Sequence, residues 1–361
     1  MENNNVRTGR NTFGAMGILK SYKLNYKKAR EISGDNVDFN GQDKGDKITG
    51  NFTLLVGDVE TVTINMQFGV SQYKSYIDKE TGKPVVNENK NFILLRDMEA
   101  GKLPTIADVE NKEEATYIQL SGKGNYKGRI TENIYKNSND IVIKNTQYDI
   151  GYGNLYVKDK DRVKELYAQF SVDVYINSIF EETKYNPKTE EEEETGRLEL
   201  KTYIPTNKGS VVPLNLIVED KDLIEAIKEN LNEEGGDTLY VEGTIHNSVS
   251  QIEDETEAKG WGKKRREIKN VYKNELIIDY AEPVIDDEDE EGEIIEKAFK
   301  PEDIKAYVVE RENIIENIKN GESYEDEGKS ERKGFGSKSK NNDNDETEDE
   351  EEKPKRRSKR W

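Results

Sequence analysis

Residues 211–248 read VVPLNLIVEDKDLIEAIKENLNEEGGDTLYVEGTIHNS and decide the fold of the second half of the chain. The opening apolar run, residues 211–218, predicts a buried strand. Residues 220–231 carry apolar side chains at helical spacing, and residues 237–249 return to the alternation of a strand. A glycine inside that strand, Gly243, is typical of the bend at which a small barrel closes. The stretch therefore predicts a strand, a helix and a second strand.

Strand-like segments on both sides complete this unit. Residues 169–180 and 197–205 precede the helix and residues 274–284 follow it. Three strands, one helix and two further strands is the element order of an OB-fold, a five-stranded barrel that binds oligonucleotides. Residues 17–155 contain similar strands separated by clusters of Gly, Asn and Asp. The sequence therefore predicts a mainly β protein with tandem OB-fold-like five-stranded barrels, a C-terminal helix and a disordered charged tail.

The expected domains follow from these signals and from the composition. Low apolar content predicts disorder after the C-terminal helix, and residues 157–170 are expected to form a short charged helix between the barrels. The predicted domains are a flexible N-terminal arm (1–16), a first OB-like β domain (17–155), a second OB-like β domain (156–285), an acidic linker plus helix (286–321) and a disordered acidic and basic tail (322–361).

Charge is distributed unevenly along the chain. The net charge is −20, from 55 Lys and Arg against 75 Asp and Glu. Residues 1–180 hold 25 basic and 24 acidic side chains, a balance of +1, so the remaining 30 and 51 give −21. This asymmetry is more informative than the total charge, because a nucleic-acid-binding surface needs only a local excess of cations.

The sequence offers no convincing catalytic or metal site. It contains no Cys and a single histidine, His246, in a strand-like setting, so thiolate and two-histidine metal sites are ruled out. No GxSxG elbow or phosphate-loop spacing occurs. We therefore expect a protein that is not an enzyme and uses no cofactor. Without a long apolar run or a signal-peptide core, we expect it to be soluble and cytoplasmic.

Basic side chains are interleaved with aromatic ones in the candidate nucleic-acid-binding stretches. Cations follow the phosphates of a single strand, and aromatic rings stack on its bases at about 1–3 kcal/mol per base. The alternatives are a solvated edge strand whose lysines oppose aggregation, a solvated turn, and a packed tryptophan. The candidate residues are Lys20, Tyr22, Lys23, Tyr26, Lys27 and Lys28; Lys123, Tyr126, Lys127 and Arg129; Arg197, Lys201 and Tyr203; and Trp261, Lys263, Lys264, Arg265 and Arg266.

The predicted plan resembles the single-stranded DNA-binding proteins of large bacteriophages. The resemblance is carried by residues 211–248, the linker KGFGSKSK (333–340) and the acidic DNDETEDEEE (343–352). It implies sequence-independent binding of single-stranded DNA in phage DNA replication, recombination and repair, in the host cytoplasm. In that family an acidic tail competes with DNA and recruits replication or recombination proteins, whereas here KPKRRSKR intervenes before Trp361. The expected partner-binding tail residues are Asp349, Glu350, Glu351, Glu352, Arg356, Arg357, Arg360 and Trp361.

The net negative charge of the whole chain favours a second interpretation, in which the protein belongs to a different functional class. In it the chain is a non-catalytic interaction or assembly scaffold, whose barrels bind protein partners and whose acidic segments mimic nucleic acid. Both interpretations use the same fold, and they differ in what the surfaces of the barrels bind and in the role of the acidic segments.

Overall fold

The computed structural model describes residues 8–32, 34, 36–38, 40–57, 62–122, 127–151, 153–186, 191–207, 209–256, 265–288, 294–295 and 297–321, with backbone alone at 185–186, 250–256, 265–272, 288 and 294–295. Predictions for residues 123–126, 257–264 and 322–361 therefore concern positions outside the described residues. Among the helices that are described, none is long and apolar enough to cross a membrane.

The first barrel is built from the first half of the chain. Strands β1 to β3 pair in antiparallel order, β3 pairs with β8 in parallel, and β8 pairs with β7. A bridge between Phe13 and Gly128 joins β1 to the start of β7 and closes the ring. This is the strand order of an OB-fold. The elements are β1 (Asn11–Lys27), β2 (Lys47–Leu55), β3 (Thr63–Ser71), β4 (Tyr73–Ile77), β5 (Pro84–Glu88), α1 (Lys90–Glu99), β6 (Tyr117–Ser121), β7 (Arg129–Lys136), β8 (Val142–Asp149) and β9 (Asn154–Lys158).

The second barrel has the same topology. Strands β10, β11 and β12 are antiparallel, β12 pairs with β14 in parallel, and β13 pairs with both β14 and β10. The prediction of a mainly β fold with OB-like barrels is confirmed. The elements are β10 (Tyr167–Asn186), β11 (Glu191–Pro205), β12 (Val211–Val218), α2 (Lys221–Asn230), β13 (Thr238–Thr256), β14 (Arg265–Pro283), β15 (Asp287–Glu288), β16 (Ile294–Ile295) and α3 (Pro301–Asn320).

Helices α2 and α3 both have clear local signals at an end. Asp220 is the N-cap of α2, and its carboxylate accepts a hydrogen bond from the backbone N–H of Leu223 at 2.9 Å. Helix α3 begins at Pro301 and ends before Gly321, which has a φ of 80°. That left-handed conformation is the usual C-terminal stop of a helix and is least costly for glycine.

Two boundaries differ from the sequence prediction. The charged helix expected at residues 157–170 is wrong: the chain makes one 3-10 turn, Lys160–Arg162, and enters β10 at Tyr167. The cause is the alternation of buried side chains from Ala168 onward, because a period of two buries one side of a strand but does not form the apolar face of a helix. The expected flexible arm also ends early, because β1 begins at Asn11 and buries Phe13.

The two barrels join through their first strands. Residues Asn11–Met16 of β1 pair in antiparallel register with Tyr167–Val172 of β10, so Phe13 lies opposite Phe170 in one continuous core. Two further contacts, of β7 with β12 and of β13 with β3, link the barrels. These contacts are equivalent by strand position, since β7 corresponds to β13 and β12 to β3. Each barrel therefore lays its fourth strand against the third strand of the other.

Helix α3 packs over one of these two equivalent junctions. It contacts β7 and β8 of the first barrel and β11 and β12 of the second. Arg311 donates two hydrogen bonds to the carboxylate of Glu132 on β7, at 2.6 and 2.7 Å, and both side chains are largely buried. Because bidentate pairs of this kind fix geometry, α3 braces β7 against the second barrel.

Gly243 lies at the bend of the second barrel, as predicted. The register between β13 and β14 shifts between Glu242 and Gly243. A Cβ atom at Gly243 would lie 2.0 Å from the carbonyl oxygen of Ile277 and 2.7 Å from the ring of Phe170. The bend therefore tolerates no side chain.

We expect Gly243→Ala to lower the free energy of unfolding by about 1–3 kcal/mol, because the added methyl group must displace backbone and core. Urea-induced unfolding monitored by circular dichroism measures the change. The matched control is Gly69→Ala on β3, whose Cβ would make only ordinary contacts, at 3.7 Å with Lys47 and 3.9 Å with Thr49. Equal loss of stability in the two variants would contradict the close-packing explanation.

Candidate nucleic-acid interface

The outer surface of the first barrel consists of alternate residues of β1, β2 and β3. The residues between them, such as Phe52 and Met66, are buried in the core. We call this outer surface the lysine face; it comprises Ser21, Lys23, Asn25 and Lys27 of β1, Lys47, Thr49, Asn51 and Thr53 of β2, and Thr63, Asn65, Gln67, Gly69 and Ser71 of β3.

The lysine face carries three positive charges and no carboxylate. Within the described part of the chain, none of Lys23, Lys27 and Lys47 forms an ion pair. Lys27 lies directly opposite Lys47, and like charges in that position destabilise a sheet. An anion such as a phosphate between them would relieve this repulsion. The face is thus a local cationic surface on a chain with a net charge of −20.

The stretch of residues 20–28 is divided between the two sides of β1. Lys23 and Lys27 face outward, and Lys20 and Lys28 are also exposed. Tyr22 and Tyr26 instead pack against the core. Tyr22 and Tyr26 are therefore not part of the outer surface that carries Lys23 and Lys27.

Tyr26 has a structural role that its sequence context did not reveal. Its hydroxyl donates a hydrogen bond to the carboxylate of Asp46, and this bond together with burial raises the pKa of Tyr26 to about 12. Its ring lies 6.2 Å from that of Phe92 on α1, between ring centroids. With these partners Tyr26 anchors the loop after β1, so we do not count it among the base-stacking residues.

Gly128, near the end of the glycine-rich stretch, forms the bridge to Phe13 that closes the first barrel. A Cβ atom at Gly128 would lie 2.3 Å from the ring of Phe13, so glycine is required where β7 meets β1. Lys127 and Arg129 are half-buried, and Arg129 pairs in register with Asp149. Lys123 and Tyr126 lie outside the described residues, and their assignment stays a prediction.

The outer surface of the second barrel is aromatic and mixed in charge. Lys201 and Tyr203 face outward on β11, as predicted. The ammonium group of Lys201 lies 4.5 Å from the ring centroid of Phe180 on β10. Sequence reasoning missed Phe180, because a register shift between Ile176 and Ser178 reverses the alternation of β10 before that residue.

Arg197 is the centre of an ion-pair network. Its guanidinium donates hydrogen bonds to Glu182 at 2.5 and 2.7 Å, to Glu219 at 2.5 Å and to Glu275 at 2.9 Å. These bonds hold the pKa of Glu182 below its usual range against the effect of burial. Burial would by itself raise the pKa of Glu275. The hydrogen bonds from Arg197 and Lys273 outweigh this effect, so the pKa of Glu275 is lowered. A phosphate would have to displace these carboxylates, so we remove Arg197 from the interface.

The remaining predicted residues lie on a hairpin and in the tail. Residues 257–264 connect β13 to β14, as predicted, and lie outside the described residues together with Trp261, Lys263 and Lys264. The backbone of Arg265 and Arg266 opens β14 and pairs with Thr256 and Glu255. The tail candidates, within residues 349–361, are likewise outside the described residues. Among the described side chains, no group of three or more His, Cys, Asp or Glu is arranged to hold a metal ion.

Comparison with known proteins identifies a family. The YorF family model matches residues 10–321, so the chain belongs to the YorF family. No curated protein matches the sequence. Among solved structures, a deletion mutant of the single-stranded DNA binding protein from Thermus aquaticus is similar at 11% identity and a TM-score of 0.39, over 79% of this chain and 98% of that chain. A likeness at that TM-score supports no conclusion about this chain.

The Arg197 network should make stability depend on pH. A glutamate with a lowered folded-state pKa contributes stability above its unfolded pKa of about 4.3, and this contribution is lost as the pH falls through the folded pKa. We expect Arg197→Met to lower the free energy of unfolding at pH 7 by about 1–3 kcal/mol, because the largely buried Glu182 and Glu275 lose their hydrogen bonds to the guanidinium. The difference from the unmodified protein should shrink below about pH 4.3.

Urea unfolding at pH 7 and under acidic conditions measures both effects. The control is Arg162→Met, which removes an exposed arginine 3.4 Å from Asp159 and should change the stability by less than about 0.5 kcal/mol. A loss at Arg197 that does not vary with pH would show that packing, and not the ion pairs, accounts for it.

Proposed function

We propose that this member of the YorF family binds single-stranded DNA without sequence preference, through the lysine face of the first barrel. The observation that carries the proposal is the charge of that face, where Lys23, Lys27 and Lys47 are surrounded by neutral polar side chains. On an OB-fold, the face of the second and third strands is the usual site for an oligonucleotide. Here those strands are β2 and β3.

The arrangement of the lysines suits a single nucleic-acid backbone. Lys27 and Lys47 are direct neighbours across two strands, and Lys23 lies four residues along β1, roughly 13 Å away. Two of the three charges are therefore adjacent across the strands and the third lies along β1, and phosphates bind to such cations with release of counterions. Such contacts carry no sequence information, which is consistent with sequence-independent binding.

The neutral residues of the lysine face favour unpaired bases over a duplex. Asn25, Asn51, Asn65 and Gln67 each offer amide donors and an acceptor, and the base edges of a single strand are free to pair with them. Because an amide can donate or accept, such contacts tolerate any base. Helix α3 packs against part of the equivalent strands of the second barrel, β11 and β12. In the first barrel α1 contacts β2 and β3, but it does so through Phe92, Leu95 and Met98, which belong to the core and not to the lysine face.

We further propose that this binding serves phage DNA replication, recombination and repair, and that the protein is not catalytic. The support is the resemblance of the tandem barrels and charged tail to phage single-stranded DNA-binding proteins. In this proposal residues 343–352 compete with DNA for the lysine face, and residues 353–361 recruit replication or recombination proteins once DNA has displaced the acidic block.

Removing the three lysines should weaken binding and its salt dependence together. We expect the full chain to bind labelled oligo(dT) in fluorescence anisotropy, with little affinity for the matching duplex. Replacing Lys23, Lys27 and Lys47 with Ala should reduce the slope of log affinity against log salt by about 2, at about 0.7 per phosphate contact.

The matched control removes three exposed lysines elsewhere, Lys164, Lys221 and Lys305, and changes the net charge equally. It should leave the slope as it was. If both triple variants lose affinity to the same extent, total charge and not the lysine face accounts for binding.

Deleting residues 341–361 tests the competitor role of the tail. Because tethering gives a segment an effective concentration near millimolar, removal of the acidic block should tighten binding of short oligonucleotides several-fold at low salt. The gain should be smaller at high salt, where screening weakens the competition. Deleting residues 353–361 alone keeps the acidic block and should not tighten binding. Unchanged affinity of the longer deletion at every salt concentration would contradict the competitor role.

One surface favours the interaction scaffold as a second candidate function. On the outer side of β13 and β14, Tyr240 and Tyr280 lie 6.3 Å apart between ring centroids. Their hydroxyls donate to Glu242 and Glu282, and the guanidinium of Arg10 lies 4.3 Å over the ring of Tyr240. An acidic, aromatic surface that holds an arginine suits a basic protein segment. Oligonucleotide titrations that stay flat at low salt would favour this candidate.

A further inference from the structure

We propose that Phe180 and Lys201, on the outer surface of the second barrel, form a base-stacking site for single-stranded DNA. The inference rests on the proposed function and deepens it, because it gives the second barrel a contact of different chemistry. Bound DNA is then held by its phosphates on the lysine face and by an unpaired base at Phe180.

The exposure of Phe180 is the first argument. Phe180 is 47% exposed, although alternate residues earlier in β10 point into the core. The ammonium group of Lys201 lies 4.5 Å from the centroid of the ring. An aromatic ring beside a cation offers a flat surface for a base and a charge for the adjoining phosphate.

A β-bulge turns Phe180 outward. Val174 and Ile176 are buried, and a continued period of two would bury Phe180 as well. The register shifts so that Ile176 pairs with Thr202 and Ser178 with Lys201, leaving one extra residue on β10. Bulges of this kind re-aim side chains next to functional sites. Here the bulge brings Phe180 and Lys201 onto the same outer surface.

The surroundings of Phe180 suit a base better than a row of phosphates. Glu199 lies directly opposite Phe180 on β11, and the nearby Arg197 already binds three carboxylates. The lysine face has the complementary composition, since its outward residues include lysines and neutral polar groups but no aromatic ring. Each barrel therefore supplies the kind of contact that the other lacks.

The chain contains a chemically similar pair that serves as a control. Tyr156 on β9 is 42% exposed, and the ammonium group of Lys158 lies 5.3 Å from the centroid of its ring. Strand β9 pairs with β6 and belongs to neither outer surface described above. The variant Tyr156→Ala therefore measures the effect of removing an exposed aromatic ring beside a lysine at an unrelated position.

The test compares two ligands by fluorescence anisotropy on the full chain. One is oligo(dT) of about 40 nucleotides, longer than two OB-folds cover at about 4–16 nucleotides each, and the other is an abasic strand of equal length. We expect Phe180→Ala to weaken binding of oligo(dT) by about 5- to 150-fold, the effect of one lost stacked base. Its affinity for the abasic strand should stay unchanged. Tyr156→Ala should alter neither affinity.

Three outcomes separate this inference from the proposed function. If Phe180→Ala binds oligo(dT) like the unmodified protein while the triple lysine variant is weakened, the stacking site is wrong and the lysine face stands. If the unmodified protein binds neither ligand, the proposed function itself is wrong. If Phe180→Ala does not fold, the Phe180→Trp variant decides. Stronger quenching of its tryptophan emission than in the unmodified protein, with oligo(dT) but not with the abasic strand, supports stacking. Equal quenching by the two strands overturns the stacking site.

Discussion

The antiparallel pairing of β1 with β10 is the contact on which the rest of the structure depends. It sets Phe13 of the first barrel opposite Phe170 of the second, and both side chains belong to one core cluster. A chain with only 32% hydrophobic residues has little apolar material for two separate cores. Sharing one core across the two first strands increases the fraction of apolar surface that is buried.

The same junction determines which surfaces remain for ligands. With the first strands paired, each barrel lays its fourth strand against the third strand of the other. Helix α3 then packs over β11 and β12, held by the buried pair of Arg311 and Glu132. Among the described residues, those on the outer surface of β2 and β3 are exposed or half-buried, and that surface is cationic. The acidic excess of the second half of the chain, −21 over residues 181–361, is thus compatible with a DNA-binding face in the first half.

The fold was predictable because its signals are local. The order of strands and helix in residues 169–284, the N-cap at Asp220 and the stop at Gly321 can each be read within a few residues. What could not be predicted depends on partner strands. The bulge in β10 follows from its pairing with β11, and it alone turns Phe180 outward.

The candidate site shows the same limit. Lys47 has no basic or aromatic cluster around it in the sequence, and only the register of β2 places it opposite Lys27. Arg197 looks like a free outward cation in its own strand, yet the fold surrounds it with glutamates from three other parts of the chain. Alternation assigns a side chain to one side of a strand, but it does not show which charges meet there.

The central claim is that DNA lies on the lysine face. The most direct test is to acetylate the lysines with and without oligo(dT) and to locate the modified residues by mass spectrometry. The account predicts that DNA protects Lys23, Lys27 and Lys47 several-fold, while the exposed Lys164, Lys221 and Lys305 react as before. Uniform labelling in the presence of bound DNA, or protection confined to the second group, would contradict it.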